Sequence, residues 1–284
     1  MEQGQSEATR WKEQGIVAAA VGISARIHHA RTNFYPFWIF DLYCGSGYND
    51  KAECLGSPIA MLRAADACGV KPLLHCVDIR GEALQELSEH PDIQHRLNKD
   101  VFLYHGDNTQ FHFLAGELVR RREKVVMAHG IILFDPNDSL ISLELLAGFS
   151  DVFPQMDIVM NYSGNAVKRA NGAGASRDDI RDMLKAANKK HWLIREERGP
   201  WQWSLLIGRN FRVGDYRAQE FHHLESPKGQ EILNRLIKTL KQRREEDAEN
   251  QRNLEFEFIP ELQRVSTTSD FSGVQDGASS DLRK

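Results

Sequence analysis

Residues 40–50 read FDLYCGSGYND, the end of an apolar run, WIFDLY (38–43), followed by a turn of small residues, CGSG. An acid, Asp41, stands inside the run, and Gly45 and Gly47 come after it. A strand ending in an ordinary glycine turn would account for the glycines. A loop that cradles a nucleotide would account for the acid as well, because glycine lets the backbone approach a ligand closely. The rest of the chain decides between the two.

Downstream, short apolar runs alternate with helical patterns. After WIFDLY, the segment SPIAMLRAADA (57–67) reads as a helix with Pro58 in its first turn. LLHCVD (73–78) reads as a second strand and GEALQELSEH as a helix. VFLYH (101–105) reads as a third strand, with a helix near 109–123 after it. GIILFD (130–135) and DIVMNY (157–162) read as fourth and fifth strands around a helix over 142–153. Such alternation predicts a Rossmann-like, doubly wound α/β fold with a mostly parallel sheet of about seven strands. A helix at about 8–31 precedes the sheet, with Ile16, Val17, Ala20, Val21, Ile23 and Ile27 among its apolar positions.

The pattern changes after the fifth strand. KRANGAGAS (168–176) lacks an apolar period and reads as a loop. Ser176 with Asp179 resembles a capping box that opens a helix. WLIREERGPWQWSLLIGRN (192–210) reads as an antiparallel hairpin turning at Arg198-Gly199-Pro200. One long amphipathic helix is expected over 226–248, with Ile232, Leu233, Leu236, Ile237 and Leu240 at helical spacing. The whole reads as one domain over 1–250, with a C-terminal extension over about 165–250. A disordered tail is expected over 265–284, which is rich in Ser, Asp and Gly.

Composition bounds the function. The 284 residues carry a net charge of −4, so no global basic field marks a nucleic-acid binder, although a local basic face is compatible with it. No apolar run approaches a membrane span, and the polar start MEQGQSEATR has no secretory character. Cys44, Cys54, Cys68 and Cys76 lack CxxC spacing and read as reduced thiols of a cytoplasmic protein, with no metal expected. The eleven histidines show no HExxH or similar pair.

In an open parallel sheet, ligands bind beyond the carboxyl ends of the strands at the topological switch point. A dinucleotide fingerprint requires a third small residue where this chain has Asp50, which weakens the NAD reading. Acids instead stand at the strand ends. Asp78 ends the second strand, where a carboxylate can accept from both ribose hydroxyls. Asp107, in GDN after the third strand, can face an adenine amino group. Each acid alone is more often a helix cap. The ordered set Asp41, Gly45, Gly47, Asp78, Asp107 and Asp135, on four successive strand ends, points to an adenosyl ligand.

This arrangement resembles the class I S-adenosylmethionine-dependent methyltransferases and, more narrowly, the three-Cys-motif partner family, which carries a methyltransferase-like fold. The resemblance rests on DLYCGSG (41–47), LGSPIAM (55–61), HGDN (105–108), LFDPND (133–138) and LESPKGQEIL (224–233), and it covers about residues 10–245. It implies S-adenosylmethionine as cofactor, or S-adenosylhomocysteine as product. The implied contacts are Asp41, Cys44, Gly45, Ser46, Gly47, Asp78, Asp107 and Asn108. Gly45 and Gly47 would line the methionine side, Asp41 would orient the loop or the amino group, and Asp78 would bind ribose.

LFDPND lies where methyltransferases place the acceptor, which makes Asp135 and Pro136 the candidate catalytic pair. Amino-methylating DNA enzymes carry a second proline and an aromatic ring there; this chain has Asn137 and Asp138. Three-Cys-motif partners carry an aromatic and Gly after the Asp-Pro, so the chain departs from both. Asp135 could also simply cap the next helix. Tyr162, in NYSGN (161–165), either supplies the missing stacking ring or is a packed aromatic. Lys168, Arg169 and Arg177 flank the Gly-rich loop, where they form either a basic lid for a phosphate backbone or a solvated loop. Trp201 and Trp203 share a face of the expected hairpin and are expected to be buried.

Two classes of function remain. One is a methyltransferase acting on a nucleic-acid base or a protein. The other is a non-catalytic adenosyl- or nucleotide-binding module that pairs with another protein in a mobile-element or defence setting.

Overall fold

The computed structural model describes residues 17–31, 35–49, 53–136, 141–163, 177–196, 203–211, 216–238 and 242–249. The chain divides into two compact units, Met1–Lys238 and Thr239–Lys284.

In the first unit, helix α1 (Ala18–Arg31) leads into β1 (Phe37–Asp41), the strand of the opening stretch. A short antiparallel pair comes next, β2 (Tyr48–Asn49) with β3 (Cys54–Leu55), and then α2 (Ser57–Ala67). After it stand β4 (Pro72–Asp78), α3 (Gly81–Glu89), α4 (Pro91–Gln94), β5 (Val101–His105) and α5 (Phe111–Arg120). The chain continues through β6 (His129–Phe134), α6 (Leu143–Val152), β7 (Asp157–Ser163), α7 (Arg177–Ala187), β8 (His191–Arg195), β9 (Trp203–Arg209), β10 (Phe221–His223) and α8 (Pro227–Ile237).

All strands but β2 and β3 form one sheet, in the order β10-β8-β9-β7-β6-β1-β4-β5. The five strands from β7 to β5 are mutually parallel. β9 runs antiparallel to both β7 and β8, and β10 runs antiparallel to β8. The chain starts at the centre with β1, builds outward through β4 to β5, then returns to β6 beside β1. The switch point therefore lies between β1 and β6, and the C-terminal ends of β1, β4, β5, β6 and β7 share one edge.

The alternation of β1 explains the two layers. Trp38 and Phe40 enter a core shared with Phe111, Phe149, Phe153 and Leu236, from α5, α6 and α8. Phe37 and Ile39 enter the opposite core with Val21, Ile59, Leu62 and Leu87, from α1, α2 and α3. A sheet covered on both faces has nearly continuous apolar strands, and β1, β4 and β6 are buried throughout.

The structure has the Rossmann-like, mostly parallel sheet expected from the sequence, with one strand more than the seven foreseen. The additional strand is β10, which covers β8. The expected antiparallel pair is present as β8 and β9, while its turn lies outside the described residues. The single long helix is interrupted. α8 ends at Ile237, its C-cap Lys238 is extended with ψ 147°, and residues 242–249 of the second unit are helical again. The segment 8–16, the Gly-rich loop with Lys168 and Arg169, Trp201 and the tail 265–284 also lie outside the described residues. No helix among the described residues is long and apolar enough to cross a membrane.

Candidate cofactor site

The site begins with the parity of β1. Residues 37 and 39 face α2, so Asp41 faces it too, and its side chain is 0% exposed. Two donors meet it: Ser57 Oγ, at the start of α2, donates to Oδ2 at 2.6 Å, and the Tyr43 backbone N–H donates to Oδ1 at 3.3 Å. Burial pushes the Asp41 carboxyl up to about 7, against the bonds from Ser57 and Tyr43 and with help from the charges of Asp135 and Asp78. Asp41 thus holds the loop to α2 from beneath. Of the two roles the resemblance allowed it, this position favours the loop over the ligand.

The two glycines have different tasks. Gly45 has φ +62° and partial exposure, and among the described residues the only heavy atom within 4 Å of a Cβ placed there is Arg80 Nη2, at 3.7 Å. Gly47 has φ +77° and is buried; a Cβ there would lie 2.4 Å from Leu87 Cδ1 and 3.0 Å from Ile59 Cδ1. Gly56 donates its N–H to Gly47 O at 2.7 Å and has no room for a Cβ of its own. Gly45 and Ser46 therefore form the accessible part of the turn. Gly47 is required by packing against α2 and α3. Cys44 is likewise turned inward beside Cys76, and none of the four cysteines forms a disulfide. The bond with Cys76 favours the Cys44 thiolate, but burial and the charges of Asp41 and Asp78 carry its pKa upward.

Asp78 ends β4 and reaches across to this loop. Its Oδ2 accepts from the Gly45 backbone N–H at 2.9 Å, and its Oδ1 accepts from the Arg80 backbone N–H at 2.8 Å. The Arg80 guanidinium adds Nε to Oδ1 at 3.2 Å and Nη2 to Oδ2 at 3.3 Å. Burial pulls the Asp78 carboxyl upward, but the bonds from Arg80 and Gly45 outweigh it, so the group sits below its ordinary value.

The third strand end contributes a brace and an exposed acid. Asn108 Nδ2 donates to Leu42 O at 2.8 Å, tying the loop after β5 to the loop after β1. Asp107 is exposed, and its Oδ1 accepts from the Thr109 backbone N–H at 2.9 Å. Between Asp78 and Asp107, Ile79 is 70% exposed, the most exposed large apolar side chain described. His105 Nε2 lies 3.1 Å from Ile79 O, and Gly106, with φ +150°, has no described atom within 4 Å of where a Cβ would be. Gly106 also donates its N–H to Asp78 O at 3.1 Å, so an exposed apolar side chain and an open glycine adjoin Asp78 at this edge.

At the end of β6, Asp135 is buried, as is Pro136. Asn161 Nδ2, on the neighbouring β7, donates to Asp135 Oδ1 at 2.8 Å and fixes the carboxylate's orientation. Tyr162 is 1% exposed and belongs to the core with Phe134, Phe149 and Met160. Of its two expected readings this is the packed aromatic: strand alternation turns residue 162 inward and leaves Asn161 at the edge. Half-buried Tyr43 is the aromatic at the top of β1. Burial raises the pKa of its hydroxyl, a bond with the Asn108 side chain opposes this, and the charges of Asp107 and Asp135 add to it.

Ser57, Ile79, Arg80 and Asn161 did not stand out in the sequence. GSP and NYSGN were visible as motifs, but the residue within each that meets an acid emerges only from strand parity and helix placement. Among the described residues no group of three or more His, Cys, Asp or Glu could hold a metal ion.

The strand order, the switch point and the glycine loop joined to an acid across β1 and β4 are those of a Rossmann-like α/β fold. No family model matches the chain, and no curated protein matches it. Among solved structures it is similar to protein LPL1258 from Legionella pneumophila, at a TM-score of 0.49 and 12% identity over 72% of this chain and 88% of that one. It is similar to human methyltransferase-like protein 13 in complex with SAH, at 0.45 and 12% over 79% and 90%. It is also similar to magnesium protoporphyrin IX methyltransferase from Synechocystis with bound SAM, at 0.41 and 13% over 69% and 80%.

Proposed function

We propose that the chain binds S-adenosylmethionine over the β1, β4 and β5 ends and transfers its methyl group to a nitrogen acceptor beside Asp135. The observation that carries the reading is the bond from the Gly45 N–H to Asp78 Oδ2 at 2.9 Å, which sets a glycine turn and an acid side by side at the switch point. Asp78 would hold the ribose hydroxyls, Ile79 and Asp107 the adenine, and Gly45 and Ser46 the methionine portion. Asp135 would accept a hydrogen bond from the acceptor nitrogen and aim its lone pair at the sulfonium methyl. The new N–CH₃ bond forms as the S–CH₃ bond breaks, S-adenosylhomocysteine leaves, and the nitrogen loses one proton. The closer reading is a protein of the three-Cys-motif partner type acting on a nucleic-acid base, with Lys168 and Arg169 on the phosphate backbone.

Calorimetry with S-adenosylmethionine, S-adenosylhomocysteine and NAD tests the cofactor. Binding of the adenosyl ligands and none of NAD is expected, and Asp78→Ala should weaken it at least tenfold, about 1.4 kcal/mol. Tight binding of NAD alone would overturn the reading. A labelled-methyl assay against DNA, RNA and protein tests the chemistry: Asp135→Ala should abolish transfer and leave cofactor affinity within a few fold, because its contacts are to the acceptor. A second reading, a non-catalytic binding module that serves a protein partner, is favoured by Tyr162 lying in the core instead of beside Asp135. Cofactor binding with no labelling in any pool would select it.

A further inference from the structure

We propose that the Arg80 side chain is a displaceable cover on Asp78, and that a ribose-bearing ligand enters by exchanging two vicinal hydroxyls for the guanidinium. The proposal rests on the reading of this edge as a nucleoside site. The Asp78 side chain is 7% exposed, whereas that of Arg80 is 52% exposed, so the acid is fixed in the fold and the arginine lies on top of it. One guanidinium nitrogen meets each carboxylate oxygen, Nε on Oδ1 at 3.2 Å and Nη2 on Oδ2 at 3.3 Å. A vicinal diol presents the same pair of donors to the same pair of oxygens.

The carboxylate does not lose its support when the side chain leaves. The backbone N–H groups of Gly45 and Arg80 still donate to it, at 2.9 and 2.8 Å. The guanidinium also reaches over the turn, with Nη2 3.7 Å from the Cβ position of Gly45 and no other described heavy atom within 4 Å. A ligand approaching the Gly45 backbone therefore meets Arg80 first. The cover can lift without stranding a charge, because the half-exposed Arg80 side chain is taken up by water and the carboxylate keeps its two backbone donors. In the free protein Arg80 thus competes with the ligand, so its removal should strengthen binding.

The test compares wild type with Arg80→Met, which keeps the length and apolar stem of the side chain without its donors. The probes are S-adenosylhomocysteine, adenosine and 2′-deoxyadenosine, measured calorimetrically at low and high salt, with unfolding curves to confirm that both proteins are folded. For the two ligands with an intact diol, Arg80→Met should bind about three- to tenfold tighter. Salt should narrow this gap by screening the Arg80–Asp78 pair, and 2′-deoxyadenosine should gain less. Equal or weaker binding by Arg80→Met makes Arg80 a bystander or a ligand contact and overturns the proposal. If S-adenosylhomocysteine binds neither protein while adenosine binds Arg80→Met more tightly, the methyl-donor reading fails and the cover stands. Binding of no ribose ligand by either protein overturns both.

Discussion

Gly45 and Gly47 look alike in sequence and differ in what surrounds them. Both have positive φ, but a Cβ at Gly45 would meet only Arg80 among the described residues, whereas one at Gly47 would strike Leu87 at 2.4 Å. Gly45→Ala should cost about 1–2 kcal/mol of stability from backbone strain and sharply reduce S-adenosylhomocysteine affinity, because the methyl group lies on the accessible side of the turn. Gly47→Val should instead lower stability by about 3 kcal/mol or more, through forced repacking added to the strain. Urea unfolding and calorimetry on the pair separate the two roles; a Gly47→Val protein of wild-type stability would return Gly47 to the ligand. The motif itself was legible, since a nucleotide loop after the first strand is a local pattern. Which glycine meets the ligand was not, because Leu87 and Ile59 come from helices that the glycines reach only in the fold. The same holds for Asp41. Its presence inside an apolar run was visible, but Ser57, its donor, lies beyond a short β-pair whose effect on spacing the sequence does not show.

At the scale of elements, the parallel strands were readable to within about two residues, because each is a short apolar run closed by an acid or a glycine. β10 was not, since Phe-His-His is too short to carry a period of two and is a strand only because β8 offers it an edge. The break at Lys238 was also hidden, for no glycine or proline marks it. Gly130 shows how one residue decides a pairing. It lies on β6 opposite Trp38 of β1, with φ +150°, and a Cβ there would sit 1.8 Å from Trp38 O. Gly69, after α2, also has positive φ, at +69°, but no described atom stands within 4 Å of its Cβ position. Gly69→Ala should therefore cost about 1–2 kcal/mol, the strain alone. Gly130→Ala must part β1 from β6 at the switch point and should leave little soluble, cooperatively unfolding protein. Similar denaturation midpoints for the two variants would mean that β1 and β6 can separate locally without harm, and that the close approach is incidental.

At the scale of the whole molecule, Asp41 and His75 are buried titrating groups of opposite character on the two faces of the central strands. Asp41 faces α2 and has its carboxyl raised from 3.8 to about 7, chiefly by burial. His75 lies on the other face, stacked between Trp38 and Phe102 with Nδ1 3.0 Å from the Tyr104 hydroxyl. Burial, aided by the charge of Arg122, lowers the His75 pKa from 6.5 to about 3. Linkage assigns each group a sign. Between about pH 4 and 7 the unfolded chain has released the Asp41 proton that the folded chain keeps, so this group makes stability fall as pH rises. Between about pH 3 and 6.5 the unfolded chain binds a proton on His75 that the folded chain refuses, so this group makes stability rise as pH rises. Each slope approaches ~1.4 kcal/mol per pH unit at its steepest. In the shared window, about pH 4 to 6.5, the two oppose one another and the wild type shows neither. Substitution uncovers them. Relative to wild type, Asp41→Asn should become more stable as pH rises from 4 to 6.5, because the substitution removes the Asp41 contribution, which falls over that range. His75→Phe, which keeps the ring stack, should become less stable over the same range. The measurement is the difference in unfolding free energy between each variant and wild type, from urea curves at half-unit pH steps, which cancels the titration of surface groups common to both. Difference curves of the same sign, or flat ones, would show that Asp41 is ionised in the folded state or that His75 takes up a proton there. In the first case Asp41 would present a negative charge beneath the glycine turn, and the turn would be held by an anion instead of a neutral acid.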